Sequence, residues 1–434
     1  MKKQLFFPLF MKSAALLLAP FIFSSGLHAQ VKKIQRDQRI QRPAKIKANP
    51  NILKPGNANS MKIIKSGSLN VRNGAKAYTY TATTLPDGKV MVAWSTNYPK
   101  GEATFFTPTL TPYAPVVFTD NNIRGGTAFE QQQAVTLSGG KVLLAYLERY
   151  EPLPNKRALR IKYVVFNKNG EIALWSAPID FTPKSRNSLK YLNVTTNPGG
   201  SRAYIYFTES YRESFRGGAN DNFDTYYFAT DERGRMVHPV KKVLHGYNTF
   251  APKNLNVITA TNGGLFLGYK KRDLFVDFHL GPDKSPEWKV QATHNIYDLT
   301  PVGVHPVNFR DAMLIYVEGK AATNNQRLVC QVVGEGNPGE KKIIVDRPVN
   351  PLNVKTLSLK DRSVFISVTD GSSKGSSATG WIIDQTCAVK KGPFRYIEDF
   401  KYHTLNFAMT QLINGQVFVM YQDKEGRPRY VVVD

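Results

Sequence analysis

The sequence predicts an all-β protein, a seven-bladed β-propeller with four-stranded blades, in residues 61–434. Three observations predict this fold. A turn rich in Gly, Asp or Asn followed by an apolar run recurs seven times. A more polar hairpin follows each of these runs, most clearly at 159–181, and no segment shows sustained helical periodicity. Four short strands per repeat, of which the inner ones are buried and the outer ones are more exposed to solvent, are typical of a propeller blade.

Each apolar run ends in a large residue that marks its repeat. The markers are Trp94, Tyr146, Tyr206, Tyr269, Tyr316, Val368 and Tyr421. Runs such as 90–94 and 142–146 are apolar on successive residues, whereas a strand with one face in water would alternate. We therefore expect the inner strands to be covered on both faces.

The two ends of the repeat region complement each other. The last repeat stops at 429–434, which supplies only a third strand, and an unpaired strand lies at 61–71. We expect this N-terminal strand to complete the last blade, because that pairing removes an open edge and closes the ring.

Residues 1–29 have the pattern of a secretory signal peptide. Three lysines precede an apolar run at 13–23, and a small-residue region ends at Ala29. The run is shorter than the roughly 20 residues of a membrane-spanning helix. No later stretch reaches that length, so we expect an exported protein, periplasmic or extracellular, without a transmembrane segment.

Residues 30–60 form a basic segment with eight Lys or Arg, one acid and three prolines. Such a composition buries too little apolar surface to offset its chain entropy, so we interpret it as a flexible basic linker. It serves either as a solvated spacer or as an electrostatic tether to an anionic envelope polymer.

The composition excludes several classes of protein. A hydrophobic fraction of 42% is too high for a disordered chain and too low for a multi-span membrane protein. Two cysteines exclude a disulfide-rich scaffold and a four-thiolate zinc site. Cys330 and Cys387 fall in different repeats, which leaves their pairing open. The net charge of +25 favours acidic partners.

Two short motifs resemble those of known propellers. The segment LPDGKVMVAW at 85–94 resembles the strand–turn–strand core of the sialidase and BNR-repeat propellers, and also kelch blades, which carry a glycine pair where this chain has Ala93 and Trp94. The turn NKNGEIALW at 167–175 resembles the Asp-box of the sialidase group, Ser-x-Asp-x-Gly-x-x-Trp. The resemblance implies a fold superfamily and no particular activity.

A ligand site is expected at one mouth, among the loops from second to third strand and between blades. The longest predicted loops are 147–159 and 207–224. Arginine offers a planar fork to carboxylate or sulfate and tyrosine a stacking face, so the mouth suits an acidic glycan. The alternative is a solvated surface on a basic protein. The candidate ligand-binding residues are Arg124, Arg149, Tyr150, Tyr211, Arg212, Arg216, Tyr247, Lys253, His294, Tyr297, Tyr402 and His403.

Acidic residues follow several of the markers. They are Glu148, Glu209, Glu318, Asp370 and Asp423. They would form either a ring of carboxylates that binds a cation or does acid–base work, or a set of loop caps paired with Lys and Arg. We favour the second interpretation, because a residue repeated in a repeat protein usually serves the repeat.

The sequence identifies no catalytic residue, metal site or cofactor. Its seven histidines lack metal-ligand spacing, and it has no nucleotide loop or nucleophile elbow. The leading hypothesis is a non-catalytic propeller that binds an acidic glycan or a cell-envelope partner. The alternative is a carbohydrate-active enzyme, a polysaccharide lyase of uronate-containing glycans or, less favoured, a sialidase. A protein–protein scaffold is a third hypothesis, and specific nucleic-acid binding is not expected.

Overall fold

The computed structural model describes residues 61–434 except for short gaps. The gaps are 70–76, 97–99, 121–128, 154–155, 176–177, 186–187, 216–217, 248–252, 261, 272, 283, 294–298, 320–325, 373–374 and 401–406. The predicted signal peptide at 1–29 and the predicted linker at 30–60 lie outside the described residues.

The described strands form seven four-stranded antiparallel sheets, which confirms the seven-bladed β-propeller. In chain order they are β1 (Ile63–Ser68), β2 (Ala77–Thr84), β3 (Val90–Thr96), β4 (Lys100–Phe106), β5 (Val116–Asp120), β6 (Phe129–Thr136), β7 (Val142–Leu153), β8 (Lys156–Phe166), β9 (Ile172–Trp175), β10 (Leu189–Thr196), β11 (Arg202–Phe215), β12 (Gly218–Asp231), β13 (Met236–Tyr247), β14 (Lys253–Thr259), β15 (Leu265–Lys271), β16 (Asp273–His279), β17 (Trp288–Thr293), β18 (Thr300–Pro306), β19 (Ala312–Glu318), β20 (Arg327–Val333), β21 (Lys341–Val345), β22 (Val354–Ser358), β23 (Val364–Ser372), β24 (Gly375–Ile383), β25 (Val389–Phe400), β26 (Phe407–Gln411), β27 (Val417–Gln422) and β28 (Pro428–Val433). Blade 1 is β2–β5, blade 2 is β6–β9, blade 3 is β10–β13, blade 4 is β14–β17, blade 5 is β18–β21, blade 6 is β22–β25, and blade 7 is β26–β28 with β1.

Helical structure is limited to short turns. Two 3₁₀ segments occur among the described residues, at Ser138–Gly140 and Pro351–Asn353. Within the same residues, no helix has the length and apolarity to cross a membrane.

The ring closes as predicted. The N-terminal strand β1 pairs antiparallel with β28, with Ser66 opposite Val431, and so supplies the fourth strand of blade 7. The open edge of the last sheet is therefore covered by the strand from the start of the domain.

The apolar core is divided among the blade interfaces. All seven marker residues lie in the second strand of their blade, and one apolar cluster lies between each pair of consecutive blades in the described structure. Between blades 7 and 1, for example, Trp94 and Phe106 share a cluster with Phe418 and Tyr430. Each inner strand packs against a neighbouring blade on both faces, which is why its sequence is apolar without alternation.

Tight turns connect the strands inside each blade. In the turn from β2 to β3, Gly88 has a φ of +86°, and its amide donates to the Leu85 carbonyl at 3.0 Å. Glycine suits this position because it adopts positive φ without steric cost.

The turn at 167–175, which resembles an Asp-box, is held by a side chain. The Asn167 side chain accepts hydrogen bonds from the amides of Asn169 and Glu171. Asp231 makes the equivalent bonds in blade 3, where the sequence showed no such motif.

The strand order defines the mouth of the propeller. Because each blade is an antiparallel meander, the turns from second to third strand and the connections between blades lie at one end, which we call the mouth. The predicted loops at 147–159 and 207–224 lie there, but they are mostly extensions of the β7–β8 and β11–β12 hairpins. The loop prediction was wrong because polar residues at strand ends resemble a loop; β11 and β12 pair without a break from Arg202 to Phe215.

The two cysteines form a disulfide that joins neighbouring blades. Cys330 lies in β20 of blade 5, and Cys387 lies in the turn that precedes β25 of blade 6. Their Cα atoms are 5.7 Å apart, a usual separation for a disulfide. The structure thus answers the question that the sequence left open.

Candidate functional site

Four predicted site residues are described with their side chains. Arg149 and Tyr150 lie in β7, and the guanidinium of Arg160 stands 4.6 Å from the centroid of the Tyr150 ring. Tyr211 and Arg212 are consecutive in β11, so they point to opposite faces, and Tyr211 is buried whereas Arg212 is exposed. The hairpin therefore does not bring these two residues into one site.

The other predicted residues are not described in full. The backbones of Tyr247 and Lys253 end β13 and begin β14, and their side chains are outside the described structure. Outside the described residues altogether lie Arg124, Arg216, His294, Tyr297, Tyr402 and His403. Their role in a site stays a prediction.

The acids that follow the markers have structural partners. Glu148 is fully buried and lies 2.6 Å from Arg160 and 3.2 Å from Lys162. Glu318 makes the same kind of pair with Arg327 and Lys341 in blade 5. In blades 6 and 7, Asp370 accepts a two-pronged bond from Arg347, and Asp423 caps its turn while pairing with Arg427 and Arg429. These contacts support the interpretation of caps and ion pairs over a catalytic ring.

One polar cluster at the mouth brings chemically active groups together. Residues of β11 that face blade 2 alternate with residues that face blade 4, because side chains alternate along a strand. Glu209 in β11 pairs with Asp224 in β12, which pairs in turn with His245 in β13. We call this group the blade-3 cluster. It comprises Lys184, Glu209, Tyr211, Asp224, Tyr226, Lys242 and His245.

Asp224 is the centre of the cluster and has no exposed surface. Its Oδ1 lies 2.5 Å from Nδ1 of His245, and its Oδ2 accepts from the hydroxyls of Tyr211 at 3.1 Å and Tyr226 at 3.3 Å. Burial alone would raise the pKa of the Asp224 carboxyl, but the bond from His245 and the charge of Lys242 hold that pKa below its usual range. The carboxylate is therefore ionised at neutral pH and only accepts hydrogen bonds, so Nδ1 of His245 carries a proton.

Tyr211 connects this carboxylate to a cation. Nζ of Lys184 lies 2.5 Å from the Tyr211 hydroxyl and 3.8 Å from the centroid of its ring. The hydrogen bond to Tyr211 raises the pKa of Lys184 above its usual value, so the amine is charged. Burial raises the pKa of the Tyr211 hydroxyl, which keeps its proton at neutral pH. The hydroxyl thus accepts from Lys184 and donates to Asp224.

Glu209 lies beside these groups with only 1% of its surface exposed. Its Oε1 accepts from Oγ of Ser188 at 3.0 Å and from the backbone amide of Lys184. Its Oε2 is buried without a hydrogen-bond partner among the described residues. These bonds tie the segment before β10 to the β11–β12 hairpin.

Aromatic rings form the floor beneath the cluster. The rings of Phe207 and Tyr226 are stacked with centroids 5.4 Å apart, and the ring of Phe181 meets each of them edge-on at 5.0 and 4.9 Å. This packing holds the Tyr226 hydroxyl against Asp224 and leaves the polar groups on the side that reaches water.

The basic groups of this cluster reach water and its acidic groups do not. The side chains of Lys184 and Lys242 are each 50% exposed and that of His245 is 51% exposed, whereas both carboxylates are buried. The arrangement can bind an anion through its two amines, and the bond to Asp224 fixes the orientation of the imidazole. Within the described residues, no group of three His, Cys, Asp or Glu side chains is placed to hold a metal ion.

Sequence reasoning identified only Tyr211 as a ligand-binding candidate in this cluster. Glu209 was noted as an acid that follows its marker residue, and Asp224 ends the predicted loop at 207–224. The partnership of Asp224 with His245 depends on the register between β12 and β13, which shifts between Thr225 and Tyr226. No count of residues along the chain would have found it.

Comparisons with known proteins place this fold among propellers. No family model matches the chain, and no curated protein matches its sequence. Among solved structures, a protein of unknown function from Dyadobacter fermentans matches with a TM-score of 0.51 and 10% identity over 87% of this chain and 99% of its own. A lectin from Burkholderia pseudomallei matches with a TM-score of 0.50 and 9% identity, over 82% of this chain and 95% of the lectin.

A polysaccharide lyase, an ulvan lyase, has a TM-score of 0.50 and 10% identity, over 84% of this chain and 96% of the lyase. Identities this low show a shared fold alone. These matches agree with the propeller fold that the motifs predicted.

Proposed function

We propose that the protein is an exported binding propeller that recognises an acidic glycan through the blade-3 cluster, without catalysis. One observation carries this proposal: the half-exposed side chains of Lys184, Lys242 and His245 surround a fully buried carboxylate, Asp224. A ligand that approaches the cluster meets cations first. Carboxylate or sulfate groups of a glycan would accept charge-assisted hydrogen bonds from the two amines.

Buried groups hold the basic side chains of the cluster in fixed positions, which favours a ligand of matching shape over anions in general. Asp224 contacts the side chains of His245 and Lys242, and Tyr211 that of Lys184, so less side-chain entropy is lost when a ligand binds. The sequence-wide charge of +25, or +22 once the three lysines of residues 1–29 are removed, adds long-range attraction for a polyanion. Propellers of like fold include a lectin and a polysaccharide lyase, which supports a carbohydrate ligand by analogy of fold.

Export is part of the proposal. It is supported by the signal-peptide pattern at 1–29 and by the disulfide between Cys330 and Cys387, which suits an oxidising compartment. Fractionation of producing cells with mass spectrometry of the N-terminus tests it. We expect a mature chain that begins at Gln30 outside the cytoplasm. A cytoplasmic chain that retains its first 29 residues and two free thiols would contradict export.

Retention on immobilised polysaccharides tests the binding function. Purified protein is applied to uronate-containing, sulfated, sialylated and neutral polymers, and both retention and release of unsaturated sugar are recorded. We expect retention on at least one acidic polymer, weakened by salt, with none on the neutral polymers. Equal retention on neutral polymers, or none on any acidic one, would refute the proposal and favour a protein partner.

The Asp224–His245 pair favours a second candidate, a lyase of uronate-containing glycans. In this scheme Nε2 of His245 removes the proton at C5, an amine neutralises the uronate, and the Tyr211 hydroxyl gives its proton to the glycosidic oxygen that leaves C4. The products are a new reducing end and a sugar with a double bond between C4 and C5. Tyr211 suits the acid role because burial keeps its hydroxyl protonated.

Product formation separates the two candidates. Release of unsaturated uronate by the wild-type protein would overturn the non-catalytic proposal, and the lyase scheme then requires that His245→Gln abolish product while retention persists. Retention without product by the wild-type protein would exclude the lyase scheme for the polymers tested.

A further inference from the structure

A cavity lies on the axis of the propeller. It has a volume of about 350 Å³ and is lined by the first residues of the innermost strands, at the mouth end of the ring. This volume is within the range of small-molecule sites, which is roughly 300–1,000 Å³. The blade-3 cluster shares none of its lining residues, so the cavity is a separate feature.

The backbone around this cavity departs from regular strand geometry. Five of the seven innermost strands (β2, β6, β10, β14 and β18) carry a register shift near the cavity. Two lining residues that are not glycine have positive φ, Thr79 at 54° and Tyr191 at 45°. Bulges and strained backbone of this kind are enriched at binding sites, where they re-aim side chains.

Lys355 is the one charged side chain among the described residues that line the cavity, and no carboxylate is among them. Among the described residues, its amine has no ion-pair or hydrogen-bond partner. Burial lowers the pKa of this amine, because the charged form loses water without gaining a partner. An anion in the cavity would supply the missing partner.

Gln132 lines the same cavity with 7% of its surface exposed. Its Nε2 donates to the carbonyls of Thr79 and, at 2.9 Å, of Ala93. Since both partners are acceptors, the orientation of the amide is determined. Its Oε1 is left buried without a donor among the described residues, and a buried acceptor of this kind is costly unless a donor reaches it.

We propose that the axial cavity binds a small carboxylate that also carries hydroxyl groups, a sugar acid of one ring. The carboxylate pairs with Lys355, and a hydroxyl donates to Oε1 of Gln132. One ligand thereby satisfies both unpartnered groups. This site does not depend on the proposed function of the blade-3 cluster.

Calorimetry on the whole mature protein tests the proposal with three probes. Glucuronate carries both groups, glucose carries hydroxyls alone, and propionate carries a carboxylate alone. We expect glucuronate to bind about tenfold or more tightly than either of the others. No heat of binding for glucuronate at millimolar concentration, or equal affinity for glucose, would overturn the site.

Two variants test separately whether Lys355 binds the carboxylate and whether Gln132 binds the hydroxyl. Lys355→Met should weaken glucuronate binding about tenfold or more, while Gln132→Leu should remove the preference for glucuronate over propionate. As controls, Lys168→Met and Lys360→Met should leave glucuronate affinity unchanged, because both lysines are exposed in turns at the far end of the propeller. Undiminished binding by a folded Lys355→Met variant would refute the proposal. So would loss of glucuronate binding in K184Q/K242Q, which would assign the sugar to the blade-3 cluster.

Discussion

Nδ1 of His245 lies 2.5 Å from Oδ1 of Asp224, a carboxylate with no exposed surface. The pair spans two outer strands of blade 3, and the hydroxyls of Tyr211 and Tyr226 bind the second oxygen of the same carboxylate. One buried acid thus orients an imidazole and two phenols toward the mouth. This is the arrangement on which the proposed binding site depends.

Replacement of this acid should destabilise the protein. Asp224→Asn removes the buried charge opposite Lys242 and places an amide where the carboxylate accepted three hydrogen bonds, and buried bonds left unmade cost about 1–3 kcal/mol. Urea unfolding measures the change. The control is Asp87→Asn, an exposed acid paired with Lys89, for which we expect less than about 1 kcal/mol. Equal effects of the two substitutions would show that Asp224 is not a structural centre.

A buried histidine should make stability fall in mild acid. Burial lowers the pKa of His305 to about 3, whereas the unfolded chain has the ordinary value of about 6.5. The unfolded state then binds the extra proton, so stability present above pH 6.5 is lost as the pH falls toward 3. Between pH 7 and pH 5 the loss from this residue is about 2 kcal/mol.

The variant His305→Gln isolates that contribution. It cannot take up a proton, so its free energy of unfolding should fall by about 2 kcal/mol less than that of the wild type between pH 7 and pH 5. Urea unfolding at several pH values provides the measurement. Parallel pH profiles for the two proteins would count against a neutral, buried His305.

Loss of the disulfide should weaken the junction between blades 5 and 6. Cys330 and Cys387 are 57 residues apart, and closing a loop of that length stabilises a folded chain by about 4 kcal/mol. The double variant C330A/C387A should unfold at correspondingly lower urea. Reductant should shift the wild type in the same direction and leave the variant unchanged. Two titratable thiols in the untreated wild type would contradict the pairing.

Closure of the ring should be sensitive to one glycine. A Cβ atom at Gly67 in β1 would lie 2.5 Å from the Tyr430 hydroxyl, so Gly67→Ala must displace the closing strand or that ring. We expect a loss of about 1–3 kcal/mol in thermal or urea unfolding. Gly199→Ala is the matched control, since nothing lies within 4 Å of its added Cβ. Similar stability of the two variants would mean that β1 does not pack as described.

The fold could be predicted from the sequence because its physical cause recurs. Every blade interface needs apolar residues on both faces of an inner strand, and so the runs before Trp94 and Tyr421 look alike although they lie at opposite ends of the domain. The incomplete last repeat likewise indicated that β1 would pair with β28.

The site was less predictable because it depends on register and on strand extension. Tyr211 was a candidate, but its neighbour Arg212 points to the other face once β11 extends to Phe215. Asp224 and His245 meet through a strand pair that contains bulges, so their proximity does not follow from spacing. Lys355 and Gln132 come from different blades and line one cavity only because the ring closes around an axis.

The dissociation constant for an acidic glycan, compared between two charge-matched double variants, tests the central claim most directly. K184Q/K242Q removes the cations of the blade-3 cluster, and K168Q/K360Q removes two exposed lysines from turns at the opposite end of the propeller. With folding verified by urea unfolding, we predict that the first pair weakens binding about tenfold or more and that the second pair changes it by less than about twofold. Equal weakening by both pairs, or none by the first, would contradict the account.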